Sequence, residues 1–264
     1  MSTSSTKTRH YAARPDADAV DLAAGAAGPV WRDTMEGRYL SDLDAVAAVL
    51  PPPLEPTEDP TVRVSIATGT NPDGSSFGEG RVSVQARHGS VVGEYPLLVV
   101  TDTEQALIEA RERFGDPAHR GVITGSIKDR RIEKRISRND QHVVHLVGVV
   151  EGPEAPTPAT RTEFSFRVRR ALDQAMGLAE DPELVIVTRT VEERRAATVG
   201  GIVRLGGTPF DPIRELPIRK THGLRIAQQF VTLSARSAGT VPADSHRPYL
   251  HHRYDPAPVT DRAD

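Results

Sequence analysis

Val62-Arg-Val-Ser-Ile66, Gly80-Arg-Val-Ser-Val-Gln-Ala-Arg-His88 and Tyr95-Pro-Leu-Leu-Val-Val100 lie in one stretch of the chain, residues 62–100, and its reading decides the fold class. The first two segments alternate apolar and polar residues with the period of two that a strand requires. The third is a continuous apolar run suited to a strand covered on both faces. Asn71-Pro-Asp-Gly74 and His88-Gly89 supply turn residues between them. The stretch reads as a β-meander.

Working outward, Thr103 to Phe114 changes period. Ala106, Leu107, Ala110 and Phe114 recur at helical spacing, with Asp102 placed to cap the start and Gly115 the end. A second short helix is expected at Ser41–Leu50, capped by Ser41 or Asp42 and stopped by Pro51-Pro-Pro53. Further strands are expected at Gly121–Gly125, Arg131–Ile136, His142–Val150, Thr162–Val168, Leu184–Thr190, Ala197–Leu205 and Leu224–Ser234. The class is mainly β, a β-rich α+β chain. Three prolines between Gly152 and Pro158 mark a long surface loop rather than a linker, because the same strand composition continues on both sides.

Residues 1–29 are rich in Ser, Thr, Ala, Gly and Asp and read as an N-terminal arm. Residues 241–264, with His246, His251 and His252, read as a C-terminal tail, leaving 30–240 as one domain. The 264 residues carry 38% hydrophobic and 26% charged residues and a formal charge of −3. That composition excludes a membrane protein and gives no basic footprint for nucleic acid. With no cysteine, thiolate metal sites and a cysteine nucleophile are excluded. With no apolar leader after Met1, a cytoplasmic location is expected. The histidine spacings suit neither a helix-borne metal site nor a paired strand face, so no metal and no cofactor are expected.

Several ordered pieces resemble the acetoacetate decarboxylase family. They are Asp42-Leu-Asp-Ala-Val46 before Pro51-Pro-Pro-Leu-Glu55, Val62-Arg-Val64, Phe77-Gly-Glu79, Gly93-Glu-Tyr95 and Glu104 to Pro117; weaker matches continue through Asp211-Pro-Ile-Arg-Glu-Leu-Pro-Ile218. The resemblance implies a cone-like, mostly antiparallel β-barrel with peripheral helices, a small-molecule oxo acid as substrate, and assembly into a homo-oligomer. It also implies a pocket: Glu79 matches the family's pocket glutamate, Ser65 falls where a second one stands, and Arg32 lies near the pocket arginine.

The family's chemistry rests on a lysine pair directly after the proline of the helix-ending turn, one lysine forming an imine with the substrate ketone. An unprotonated amine is required for that step. Here the two positions are Ala118 and His119, so the imine route is lost. Of the remaining lysines, Lys7 lies in the arm and Lys134 in the charged Arg130–Arg135 run, while Lys128 and Lys220 read as solvated charges, so none is expected to replace the pair. The expectation is therefore acid/base chemistry on a small oxo acid, such as dehydration or cyclisation in a natural-product pathway. His119 would be the proton-transfer group, with Glu79 as its partner. The alternatives are a non-catalytic ligand-binding or assembly member and a decarboxylase with a relocated lysine.

Overall fold

The computed structural model describes residues 30–173 and 177–255. The expected arm, residues 1–29, lies outside the described residues. Twelve strands and three short helices follow in order: β1 Arg32–Leu40, α1 Leu43–Val49, β2 Glu55–Pro56, β3 Thr61–Thr70, β4 Ser76–His88, β5 Val91–Thr101 and α2 Glu104–Glu109. Then come β6 Ala118–Arg120, β7 Val122–Lys128, β8 Arg131–Arg138, β9 Gln141–Glu154, β10 Ala159–Arg167, β11 Glu183–Leu205, β12 Lys220–Thr240 and α3 Ala243–His246.

The sheet runs β10-β5-β4-β3-β1-β12-β11-β9-β8-β7, and β10 also pairs with β11. That extra pairing closes seven strands into a mixed barrel, which is the fold the resemblance implies. Strands β9, β8 and β7 leave the barrel wall at β11 and lie over its outside. Ile136 of β8 fills the space beside Gly80 of β4, where a Cβ would meet it at 2.3 Å, so Gly80 is what lets the two layers close. The apolar core, with Met35, Ile66, Val82, Val100, Ile132 and Ile136 all fully buried, sits between these layers.

The meander stands as expected in β3–β5. The helix after it begins at Thr103, whose hydroxyl accepts from the Ala106 N–H at 3.4 Å. Asp102, expected as the cap, instead accepts from the Gly78 N–H at 2.7 Å. After Glu109 the helix widens into a π-turn, Ala110–Phe114, and ends at Gly115 with φ 79°. A Cβ at Gly115 would lie 2.7 Å from the backbone of Phe166 and Arg167, so glycine is required there twice over. That turn sets the direction of Asp116, Pro117 and β6.

Four expectations are corrected. The first strand, β1, lies outside the expected set, because Gly37 interrupts the apolar face between Met35 and Tyr39. The strands expected at 184–190 and 197–205 are one 23-residue strand, β11, which bends at a register shift between Glu193 and Arg195. The segment from Val241 to Asp255 is not a loose tail: His246 stacks on Phe166 with ring centroids 4.6 Å apart, and Arg253 donates to the carbonyls of Gly115 and Phe166. Aromatic rings without a strand or helix period hold it down. Lys134 is buried rather than solvated, because β8 lies across β1 and β3; its ammonium donates to the Asp33 carbonyl at 2.6 Å and to the Thr68 hydroxyl at 2.7 Å. Among the described residues no helix is long and apolar enough to cross a membrane.

Candidate active site

Directly opposed residues on neighbouring strands share a face, so the register identifies the barrel interior. One row runs Glu36, Ser65, Arg81, Val99, Ala118 across β1, β3, β4, β5 and β6. Ala118 is fully buried beside Val99 and Ala110. The next row, Gly80, Val100 and His119, faces the opposite way, into the apolar layer under β8.

The interior is polar. Arg32, Thr34, Ser65, Glu79, Arg81, Arg161, Arg189 and Gln229 are among the residues around a cavity with about 20 Å³ of free space. Five guanidiniums, those of Arg32, Arg63, Arg81, Arg161 and Arg189, meet five carboxylates, those of Glu36, Glu79, Glu94, Asp116 and Glu163. Glu163 is the hub. It accepts from Arg189 at 3.0 Å and Arg81 at 3.2 Å, and Arg63 stands at 3.5 Å. Burial alone would raise its carboxyl, but Arg189, Arg81 and Arg63 outweigh burial and hold it at about 2. Asp116, delivered by the Gly115 turn, accepts from Arg81 at 2.6 Å and from the Ser165 hydroxyl at 2.7 Å.

Glu79 borders the cavity, its side chain 24% exposed, and accepts from Arg81 Nε at 2.8 Å. Arg189 and Arg32 approach only to 3.7 and 3.8 Å. Burial opposes ionisation of Glu79, yet Arg81, Arg189 and Arg32 together keep the carboxyl far below the usual carboxylate range. Arg32 is the least compensated of the guanidiniums: burial outweighs the attraction of Glu79, Arg189 and Arg81 repel it, and its pKa falls to about 10. Among the described residues its Nε has no hydrogen-bond partner, nor has the Thr34 hydroxyl beside it.

The structure brings Glu79, Arg32 and Ser65 to one cavity, and Ala118 onto the same face. It does not bring His119 there. His119 Nδ1 stands 2.9 Å from Arg138 Nη2, and Nε2 stands 3.2 Å from the His252 carbonyl. A guanidinium only donates and a carbonyl only accepts, so the ring is neutral with its proton on Nε2. Burial and then Arg138 lower its pKa. Both nitrogens are engaged on the far side of the sheet from Glu79, which corrects the expected pairing of the two. Lys134 has a depressed pKa, about 8, through burial, but it lies in the layer outside the barrel and does not line this cavity. Among the described residues no group of three or more histidine or acidic side chains is arranged to hold a metal ion.

Arg63, Arg81, Asp116, Glu163 and Arg189 escaped the sequence reading. Each sits at an alternate position of an alternating strand or just after a turn, where a charge ordinarily means solvent; only the closed barrel turns that face inward.

A family model described as acetoacetate decarboxylase (ADC) matches residues 14–244. Among solved structures, an acetoacetate decarboxylase is similar over 81% of this chain and 90% of its own, with TM-score 0.69 and 19% identity. The acetoacetate decarboxylase of Legionella pneumophila matches over 82% and 88%, with TM-score 0.68 and 18% identity. The enduracididine biosynthesis enzyme MppR, complexed with the condensation product of pyruvate and imidazole 4-carboxaldehyde, matches over 82% and 92%, with TM-score 0.63 and 17% identity. At these identities the likeness concerns the fold. No curated protein matches the chain in sequence.

Proposed function

The chain belongs to the acetoacetate decarboxylase family, and on that premise we propose that its barrel interior enolises a small oxo acid without forming an imine. Arg32 and Arg189 receive the substrate carboxylate, Ser65 hydrogen-bonds to it, and Glu79 moves the proton at the carbon beside the carbonyl. Loss of a β-leaving group from the resulting enol gives dehydration. The observation that carries this reading is Arg32, a largely buried guanidinium whose Nε has no partner among the described residues, bordering the cavity that Glu79 and Ser65 also line. Guanidinium forks are suited to planar carboxylates. Ala118 offers no amine on this face, which supports acid/base rather than covalent chemistry.

Homo-oligomeric assembly and a natural-product role complete the proposal. The free edge of β7, with Val122 and Ile127 more than half exposed, supports the first; the shared fold of MppR, an enduracididine biosynthesis enzyme, supports the second. A binding-only role is the second reading, favoured by the cavity's small free space, which is the room of about one water. An oxo acid must displace arginine side chains to enter.

The deciding experiment follows the methyl protons of pyruvate by NMR in D2O. Exchange faster than in buffer, and lost in Glu79→Gln, is the expected result. Binding without exchange would leave the binding-only reading standing in its place.

A further inference from the structure

The barrel interior is charge-balanced before any ligand enters it, and this dictates what accompanies an anion. Of the cations reaching its carboxylates from outside, Arg38 touches Glu36 at 3.1 Å from a half-exposed position, where solvent screens it, and Arg253 acts on Asp116 only from beyond ion-pair contact, its guanidinium being given to the Gly115 and Phe166 carbonyls. The five inward guanidiniums and five carboxylates thus cancel. A monoanion added to this set leaves one uncompensated negative charge in a buried space, and the usual relief is protonation of a carboxylate.

Resting on the reading of the barrel as a carboxylate site, we propose that binding of a small oxo-acid monoanion is coupled to uptake of one proton by Glu79. The geometry singles Glu79 out among the five carboxylates. Glu163 and Asp116 are more deeply buried, at 1% and 3% side-chain exposure, and each accepts hydrogen bonds from two partners, Glu163 from Arg189 and Arg81 and Asp116 from Arg81 and Ser165. Glu94 is held by Arg63 at 2.5 Å, and neither it nor Asp116 lines the cavity. Glu36 is held by Arg161 at 3.0 Å. Glu79 instead lines the cavity and faces Arg81 on its own strand, Arg32 from β1 and Arg189 from β11, with Glu163 of β10 beyond them. Two of its three cations stand at 3.7 and 3.8 Å, outside hydrogen-bond reach. A ligand carboxylate that takes Arg32 and Arg189 in direct hydrogen bonds removes both from Glu79 at the moment the local negative charge rises.

The acid form is chemically useful. One oxygen of the Glu79 carboxyl gives its proton to the substrate's oxo oxygen while the other takes the proton from the adjacent carbon. The C–H electron pair becomes the enol double bond, and the carboxyl ends protonated as it began. No lysine and no second acid are needed.

Calorimetric titration of the full chain with pyruvate, at one pH in buffers of different ionisation enthalpy, counts the protons. About one proton taken up per pyruvate is expected near pH 6, with Kd rising by up to about tenfold per pH unit until the pH passes the carboxyl pKa of the bound state and staying level above it. Infrared difference spectra should gain a protonated-carboxyl carbonyl band on pyruvate addition, shifted by ¹³C-glutamate labelling and missing in Glu79→Gln. Pyruvate binding with no proton uptake at any pH would overturn the coupling and leave the carboxylate site intact. A band insensitive to glutamate labelling would overturn the assignment to Glu79, even if Glu79→Gln failed to fold. Failure of pyruvate and acetate to bind at all would overturn the carboxylate-site reading together with the coupling.

Discussion

Replacing Glu163 by glutamine tests whether the interior ion network stabilises the barrel. The substitution keeps the side chain's shape and removes its charge, leaving Arg81, Arg189 and Arg63 short of one shared carboxylate in a position only 1% exposed. The folded-state pKa of about 2 lies some two units under an unfolded value of about 4.3. At about 1.4 kcal/mol per unit this corresponds to about 3 kcal/mol at neutral pH, within the range of about 3–5 kcal/mol for breaking a buried pair. Because the folded pKa is depressed, the contribution is full above about pH 5 and lost as pH falls. More than half should be gone by about pH 3, where the unfolded chain has taken up the proton and the native chain has not. Urea unfolding of wild type and Glu163→Gln at pH 7 and at intervals down to pH 3.5 gives the comparison. A difference under about 1 kcal/mol at pH 7, or one that does not shrink with acid, would refute the reasoning.

The remaining predictions concern groups outside the barrel. His119→Ala removes the bonds to Arg138 and the His252 carbonyl and should destabilise by about 1–3 kcal/mol in urea, while pyruvate exchange in the folded fraction stays unchanged. Loss of exchange without loss of stability would return His119 to the chemistry. Lys134, at about 8 in the folded chain against about 10.4 unfolded, binds its proton more weakly when native. Stability should therefore rise by about 3 kcal/mol as pH climbs from 7 towards 10.4, and Lys134→Met should flatten that rise in parallel unfolding curves.

How much of this was legible in the sequence depends on which face of a strand meets what. The meander of β3–β5 was legible because Val62, Val64 and Ile66, like Val82 and Val84, supply an apolar face wherever it points. What misled was the assumption that the other face meets water. In this barrel the apolar face looks outward to β8 and its neighbours, and the polar face looks inward, so Arg63, Arg81 and Arg189 have the spacing of surface charges while being buried. β1 was invisible for the same reason: Arg32, Thr34 and Glu36 point into the barrel, and Gly37 interrupts the apolar face between Met35 and Tyr39. Ala118 and Glu79 were found through the family motif, not through periodicity. His119 was misplaced because adjacent residues in a strand face opposite sides, a consequence that follows only once β6 is known to be a strand.

The inward position of Ala118 bears on whether this chain could regain an amine. A lysine there would enter the row already occupied by Arg81, in an interior whose cations and anions cancel. Ala118 itself is sealed between Val99 and Ala110, with no exposed surface to give up. The new side chain would need a cavity, while the neighbouring guanidiniums would favour its neutral amine form. A lysine substituted there meets a closed wall before it meets chemistry, so the packing around Ala118, more than the charge of the interior, sets the cost of an amine at this position.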